Sequence, residues 1–208
     1  MKRRQILLGL PGLVAGAAIA QGVVTPATPG PSVAAAPTMN APEVLRALRA
    51  GGLVIYFRHT ATDFSKRDDA MNAYDDCANQ RLLSPQGRID ARQLGVHIRA
   101  LRLPVDEVLA SPMCRTMEHA RLTFGRAAPT LELREGDQGD YPGLKRWLRE
   151  PVAPRTLRWI VGHGTPFRAV IGFQLAEGEA AILRPNAPQA TMLARVTIDQ
   201  WPSLLAVR

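Results

Sequence analysis

An uninterrupted apolar run, Leu53–Phe57, leads directly into Arg58 and His59. A strand with one face in water alternates apolar and polar residues, whereas a strand covered on both faces is apolar throughout. Residues 156–162 form a second predicted strand, and it leads into His163. A chain with such strands needs other elements on both sides of its sheet.

Helical patterns separate the predicted strands along the chain. Apolar residues recur at helical spacing after Ser84 and Pro85, which suit the cap and the first position of a helix. Residues 113–125 show a second helical pattern that ends in glycine. Strands that alternate with helices indicate an α/β protein. We predict a three-layer α/β/α sandwich with a mainly parallel central sheet.

The amino-terminal residues are typical of an export signal, because basic residues precede an apolar stretch with an A-x-A cleavage pattern. The pair Arg3-Arg4 partly matches a twin-arginine signal, and the general secretory route stays open. We expect a signal peptide at 1–20, a disordered Pro- and Ala-rich linker at 21–42 and a folded domain at 43–208. An uncleaved anchor is the alternative. The mature protein is expected to be periplasmic or secreted, with no membrane span.

The formal net charge of +8 favours anionic partners. Phosphorylated compounds, anionic lipid headgroups and nucleic acids all carry the negative charge that such a protein attracts. The basic residues are scattered, however, and the chain has only three Trp and three Tyr. Because basic and aromatic residues do not cluster, nucleic acid is not an expected partner.

The two cysteines, Cys77 and Cys114, fit no metal-binding spacing. In an oxidising compartment they can form a disulfide, and two free thiols are the alternative. The four histidines are dispersed, and no H-x-H or H-E-x-x-H motif occurs. The sequence therefore predicts neither a metal site nor a cofactor.

Two arginines and two histidines are expected to meet at one edge of the sheet, because ligands of open α/β sheets bind beyond the carboxyl ends of the strands. Arg58, His59 and His163 follow predicted strands, and Arg115 lies in the first turn of a helix that follows another. Guanidinium groups match phosphate geometry, and a helix N-terminus also favours an anion. Neutral imidazole is a nucleophile. The pattern therefore indicates a phosphate that is held by Arg58 and attacked by His59.

These segments, in this order, resemble the histidine phosphatase superfamily, which has the phosphoglycerate-mutase-like fold. The resemblance is carried by residues 57–63 (FRHTATD), 83–95 (LSPQGRIDARQLG), 109–120 (LASPMCRTMEHA) and 161–164 (VGHG). It spans about residues 52–173 and implies that the folded domain is a catalytic domain of this family.

The resemblance also implies roles for the four residues at the sheet edge. His59 would be the nucleophile that becomes phosphohistidine. Arg58, Arg115 and His163 would bind the phosphoryl group and stabilise its transition state.

An acid must protonate the leaving oxygen and later activate water. The family pattern L-x-E-x-x-x-G-x-x-x-G matches residues 133–143 and indicates Glu135, with Glu132 and Asp137 as rivals. The acid-phosphatase branch instead has an aspartate directly after the second histidine. That position is Gly164, so the resemblance to that branch is weaker.

Several residues near the motifs depart from the family pattern or extend it. Thr60 stands where glycine or alanine is usual, and its branched side chain crowds a phosphate although its hydroxyl can donate to one. Thr60, Thr62 and Arg81 complete the predicted substrate-binding set, with Arg81 in a long polar loop, 60–83. His119 is predicted to be a partly exposed surface residue, and a place at the pocket edge is the alternative.

We therefore predict a metal-independent phosphomonoester hydrolase that acts through phosphohistidine. The expected substrate is a small or envelope-linked phosphorylated compound, such as a sugar phosphate. Protein phosphohistidine is a second option within the superfamily. A protein that binds a phosphorylated ligand without turnover is the competing class.

Overall fold

A mixed β-sheet forms the middle layer of the fold. The computed structural model describes residues 39–136 and 139–207. Within these residues the sheet has six strands: β1 (Leu53–Arg58), β2 (Glu107–Ala110), β3 (Ala128–Pro129), β4 (Leu157–Gly162), β5 (Ala180–Arg184) and β6 (Thr191–Val196). Their order is β3-β2-β4-β1-β5-β6. The first four strands pair in parallel, and β5 is antiparallel to both of its neighbours.

Helices cover both faces of this sheet. Those in the described residues are α1 (Ala41–Ala50), α2 (Pro85–Ala100), α3 (Cys114–Phe124), α4 (Pro142–Arg149), α5 (Gly164–Ile171) and α6 (Trp201–Ala206). One apolar core joins α1, α2, α3 and α6 to the face that carries Ile55 and Phe57. The other core joins α4 and α5 to the face that carries Val54 and Tyr56. Successive strand residues point to opposite faces, so β1 is apolar on both faces from Leu53 to Phe57. The predicted three-layer α/β fold is confirmed.

The first helix sets where the described domain begins. Asn40 accepts a hydrogen bond from the Glu43 N–H (3.0 Å), and the Glu43 carboxylate accepts one from the Asn40 N–H (2.9 Å). This reciprocal cap starts α1 at Ala41, two residues before the predicted boundary. The predicted signal peptide, 1–20, lies outside the described residues. The predicted linker, 21–42, also lies outside them, except for its last four residues. No helix in the described part of the chain is long and apolar enough to cross a bilayer.

The carboxyl ends of β1, β2 and β4 meet at one edge of the sheet because these strands are parallel neighbours. Arg58 lies opposite Gly162 in this register. The ladder continues one residue further: the His59 N–H donates to the Gly162 carbonyl (3.0 Å), and the Ser111 N–H donates to that of Val161 (3.0 Å). Main-chain hydrogen bonds therefore fix the residues that follow the strands.

Candidate active site

A cavity of about 480 Å³ lies at this edge of the sheet. The predicted site residues that line it are Arg58, His59, Arg81, Arg115, Glu135 and His163. The rings of His59 and His163 lie close to perpendicular, with their centroids 5.6 Å apart. The structure thus brings together the four residues expected at the strand ends and adds two from loops.

His59 is buried and held in one tautomer. Its Nδ1 lies 3.0 Å from the Thr60 carbonyl oxygen, which can only accept, so Nδ1 carries the proton. Nε2 has no hydrogen-bond partner in the described residues and carries the lone pair. Burial, reinforced by Arg115 and Arg58 and opposed by the bond to Thr60, lowers the pKa of His59 to about 3. His59 is therefore a neutral imidazole with an unengaged nitrogen in the cavity.

His163 is fixed through both its backbone and its ring. The Tyr56 hydroxyl donates to the His163 carbonyl (2.9 Å) and accepts from the His163 N–H (2.8 Å). A Cβ at Gly162 would lie 2.1 Å from the Tyr56 hydroxyl oxygen, so only glycine leaves room for this contact. His163 Nε2 lies 2.8 Å from the Ser111 hydroxyl. Burial, followed by Arg115 and His59, lowers the pKa of His163 well below its ordinary value.

Arg58 and Arg115 each have a carboxylate partner behind the cavity. The Arg58 guanidinium lies 3.4 Å from Glu177, and that of Arg115 lies 3.0 Å from Asp68. Each arginine also donates to a backbone carbonyl. The Nε of each is buried without a partner in the described residues. The carboxylates hold the guanidinium groups in place, and the remaining N–H groups stay free for an oxyanion.

Asp68 is a residue that the sequence did not indicate. Burial alone would raise the pKa of its carboxyl, but the Arg81 N–H and the Arg115 guanidinium lower it below the usual range. Burial in turn lowers the pKa of Arg115, and Asp68 opposes that effect. The pair therefore keeps Arg115 charged at a nearly inaccessible position, where its exposed fraction is 3%.

The three candidate acids occupy different places. Glu135 is exposed and lines the cavity. Glu132 faces away, because its carboxylate accepts hydrogen bonds from Arg146 and from the Trp147 indole N–H (2.8 Å). Asp137 lies outside the described residues. Of the two candidate acids that the structure describes, Glu135 and Glu132, only Glu135 is in position to exchange a proton with a ligand in the cavity.

Thr60 and Thr62, predicted to bind substrate, lie outside the cavity lining. Thr60 is fully buried, and its hydroxyl has no partner in the described residues. It contacts His59 through its backbone carbonyl instead. The hydroxyl and N–H of Thr62 donate to Glu177 at 2.9 and 3.3 Å, respectively. Thr62 therefore orients the carboxylate that holds Arg58, which corrects its predicted role.

His119 is fully buried, so the prediction of a partly exposed surface residue is wrong. Its Nδ1 accepts the N–H of Thr60 (3.1 Å), the residue that follows His59, the predicted nucleophile. Burial, with a smaller effect of His59, lowers the pKa of His119 to about 3. Two hydrogen bonds thus connect His119 to His59 through the backbone of Thr60.

The long loop, residues 60–83, is folded against the start of α3. Cys77 and Cys114 form a disulfide, which decides between the two alternatives left by the sequence. Gln80 is fully buried, and its side-chain oxygen accepts the Cys114 N–H (3.0 Å). The loop therefore covers the first turn of α3 and brings Arg81 to the cavity.

Sequence reasoning missed several residues of the cavity. Tyr74, Arg134, Tyr141 and Gln174 line it. Arg134 precedes Glu135 inside the matched L-x-E pattern, so its place in that pattern was a usable signal. The others have no motif. In the described part of the chain, no group of three or more His, Cys, Asp or Glu residues is arranged to hold a metal ion.

The family model of the histidine phosphatase superfamily (branch 1) matches residues 54–177, which confirms the resemblance seen in the sequence. No curated protein matches this chain significantly.

Among solved structures, a protein of Agrobacterium tumefaciens assigned as the phosphohistidine phosphatase SixA is 16% identical, with a TM-score of 0.49. The match covers 70% of this chain and 98% of that one. The phosphoserine phosphatase of Entamoeba histolytica, in complex with 3-phosphoglyceric acid, is 14% identical with a TM-score of 0.48, and the match covers 70% and 96%. The protein TTHB049 of Thermus thermophilus is 19% identical with a TM-score of 0.45, and the match covers 70% and 99%.

Proposed function

This chain belongs to the histidine phosphatase superfamily (branch 1), and we propose that it hydrolyses phosphomonoesters through a phosphohistidine at His59. One observation carries the proposal. His59 presents a neutral, unengaged Nε2 in a cavity that Arg58, Arg115 and His163 also line. A neutral imidazole beside two fixed guanidinium groups suits attack on a phosphoryl group rather than on a neutral ligand.

In the first step His59 Nε2 attacks phosphorus, and the bond from phosphorus to the ester oxygen breaks. Glu135 gives its proton to the leaving oxygen, so an alcohol departs. Arg58, Arg115 and His163 hold the oxygens of the transferred group while negative charge is redistributed.

The phosphorylated imidazole is cationic, and the enzyme offers two groups that stabilise it. The Thr60 carbonyl accepts from Nδ1 (3.0 Å), and the Glu177 carboxylate lies 4.0 Å from the same nitrogen. The carbonyl and the carboxylate both stabilise the positive charge that develops on the imidazole as His59 attacks. Because this charge is absent before the attack, stabilising it lowers the barrier.

In the second step the Glu135 carboxylate takes a proton from water, and the oxygen of that water attacks phosphorus. The bond between phosphorus and Nε2 breaks, inorganic phosphate leaves, and His59 returns to its neutral form. Glu135 is then protonated again and ready for the next ester. No step requires a metal ion, and we propose metal-independent hydrolysis.

The substrate proposed here is small or presents a single phosphorylated group, as an envelope-linked sugar phosphate would. A cavity of about 480 Å³ falls in the size range of small-ligand sites. We further propose that the mature protein works in the periplasm or outside the cell. The disulfide between Cys77 and Cys114 supports an oxidising compartment.

The test is phosphate release from an aryl phosphate in EDTA by the wild type, the His59→Ala variant and a His97→Ala control. His97 lies on α2, outside the cavity lining. We expect EDTA-resistant release by the wild type and the control, and none by His59→Ala. Release that survives in His59→Ala contradicts the mechanism. If no protein releases phosphate but vanadate still binds, the chain is a binding protein.

A further inference from the structure

The peptide unit that joins His59 to Thr60 is held from both sides. Its carbonyl, on His59, accepts a hydrogen bond from the Gly178 N–H (2.9 Å). Its N–H, on Thr60, donates to Nδ1 of the His119 ring (3.1 Å). The carbonyl and the N–H of a trans peptide point to opposite sides, so these two bonds fix the rotation of the peptide plane. A side chain of α3 therefore supplies one of the two bonds.

The next backbone group, the Thr60 carbonyl, decides which nitrogen of His59 is free. It accepts a hydrogen bond from Nδ1 of His59 (3.0 Å), and this bond leaves the lone pair on Nε2. The Glu177 carboxylate lies 4.0 Å from the same Nδ1, which is beyond hydrogen-bond distance. If the Thr60 carbonyl turned away, the proton could move to Nε2, and a protonated Nε2 cannot attack. The orientation of Thr60 therefore controls the nucleophile.

His119 is itself held firmly on α3. It is fully buried, and its ring lies tilted by 58° against the Phe57 ring at a centroid distance of 5.4 Å. Arg115 lies four residues earlier and is also buried, so both side chains lie on the same face of the helix. One helix thus carries an arginine of the phosphoryl site and the group that holds the backbone next to the nucleophile.

Stability alone does not account for a histidine at this position. Its Nδ1 accepts the Thr60 N–H, so the proton of the neutral ring is on Nε2. That Nε2 is buried and has no hydrogen-bond partner in the described residues. A buried donor without a partner lowers stability. The benefit of His119 is therefore to be sought in the bond that it makes to Thr60.

We propose that His119 is a positioning residue for the nucleophile: it holds the Thr60 backbone, which keeps Nε2 of His59 unprotonated in the cavity. His119 does not contact the ligand, because it lies outside the cavity lining. The inference rests on the proposed function for the reaction that it serves. The alternative is that His119 only fills the core between α3 and β1.

Three replacements separate the acceptor from the volume of the ring. His119→Asn keeps an acceptor at the position of Nδ1, His119→Leu has the same branch point without an acceptor, and His119→Gln moves the acceptor one bond further out. With nitrophenyl phosphate, kcat of His119→Leu should fall by roughly 10–10²-fold, because a slightly misplaced reacting group has an effect of that size. His119→Asn should keep kcat within about threefold of the wild type. The inhibition constant of inorganic phosphate should change little in either variant, because Arg58 and Arg115 keep their carboxylate partners.

A second measurement does not depend on turnover. NMR shifts of the ring nitrogens report which nitrogen carries the proton, and single replacements assign the four histidines of the chain. The wild type and His119→Asn should show one His59 tautomer, with the proton on Nδ1. His119→Leu should show exchange between the two tautomers. A residue that only fills the core would leave this signature unchanged.

The matched control is Thr123→Val. Thr123 is also buried on α3, four residues after His119, and its hydroxyl donates to the Ala91 carbonyl (2.9 Å). This variant should lose stability in urea unfolding and keep kcat within about threefold of the wild type. If it lowered kcat as much as His119→Leu, a general loosening of α3 would explain both results, and the proposal would fail.

An unchanged His59 tautomer in His119→Leu would overturn the proposal, and so would an equal fall of kcat in His119→Asn and His119→Leu. If His119→Leu does not fold, His119→Gln replaces it in both comparisons with the same expected results. A wild type that releases no phosphate, together with a tautomer change in His119→Leu, would refute the proposed hydrolysis and support the positioning role. Hydrolysis with the same tautomer in all variants would do the reverse.

Discussion

His59 and His163 are held by the sheet, whereas Arg81 is held by a cross-linked loop. His59 continues the β1–β4 ladder with a main-chain hydrogen bond to Gly162, and the Tyr56 hydroxyl fixes the backbone of His163. The loop 60–83 has no strand of its own in the sheet and depends on the disulfide and on buried Gln80.

The proposed reaction makes different demands on the two regions. A nucleophile must be placed to within a fraction of an ångström, and strand ends give that precision. Residues that select the leaving group can vary, and loops tolerate such change without disturbing the sheet. We therefore expect changes at the strand ends to act on the chemical step, and changes in the loop to act on binding.

Among variants that keep His59, the largest effect is expected at Glu135, which lies outside the loop 60–83 and takes part in the proposed chemistry. Glu135→Gln removes the proposed acid, and kcat should fall by roughly 10²–10⁴-fold for an alkyl phosphate. The fall should be smaller for a nitrophenyl phosphate, whose leaving oxygen needs no proton. Glu132→Gln is the control, since that carboxylate contacts Arg146 and Trp147 instead. An equal fall in kcat in the two variants would contradict the role of Glu135 as the acid.

A smaller effect is expected from the cross-link. Cys77 and Cys114 are 37 residues apart, so replacing both by alanine should lower the free energy of unfolding by roughly 2–4 kcal/mol. Because the strand ends keep their hydrogen bonds, KM for an aryl phosphate should rise more than kcat falls. Urea unfolding and steady-state kinetics check these two expectations. A loss confined to kcat would show that the loop supports the nucleophile itself.

The smallest effect concerns the pH dependence of stability. Folding lowers the pKa of the buried His119 from 6.5 to about 3, so below pH 6.5 the unfolded chain binds a proton that the folded chain excludes. Stability is therefore lost as the pH falls from about 6.5 towards 3. His119→Asn should reduce the loss between pH 7 and pH 5 by about 2 kcal/mol. An unchanged pH dependence of urea unfolding would contradict this assignment.

The sequence predicted the fold and the sheet edge because both depend on local patterns. Apolar runs that end in polar residues locate strand ends, and parallel strands bring those ends together. Arg58, His59 and His163 could be placed on that basis. Arg115 could be placed because it lies in the first turn of the next helix.

Contacts between distant segments could not be predicted in this way. Asp68 and Glu177 hold arginines that are 47 and 119 residues away, and no local pattern connects them. The prediction for His119 was wrong because α3 is buried on more than its apolar face. Thr116 and Thr123, three residues before and four after His119, are also buried and bond to backbone carbonyls.

The most direct test of the account is to trap the intermediate. The wild type and the Glu135→Gln variant would be mixed with nitrophenyl phosphate, quenched rapidly in alkali and analysed by peptide mass spectrometry. We predict one phosphoryl group on His59, with more accumulating in the variant because water attack then lacks its base. Turnover without phosphorylated His59, or with the phosphoryl group on another residue, would contradict the mechanism.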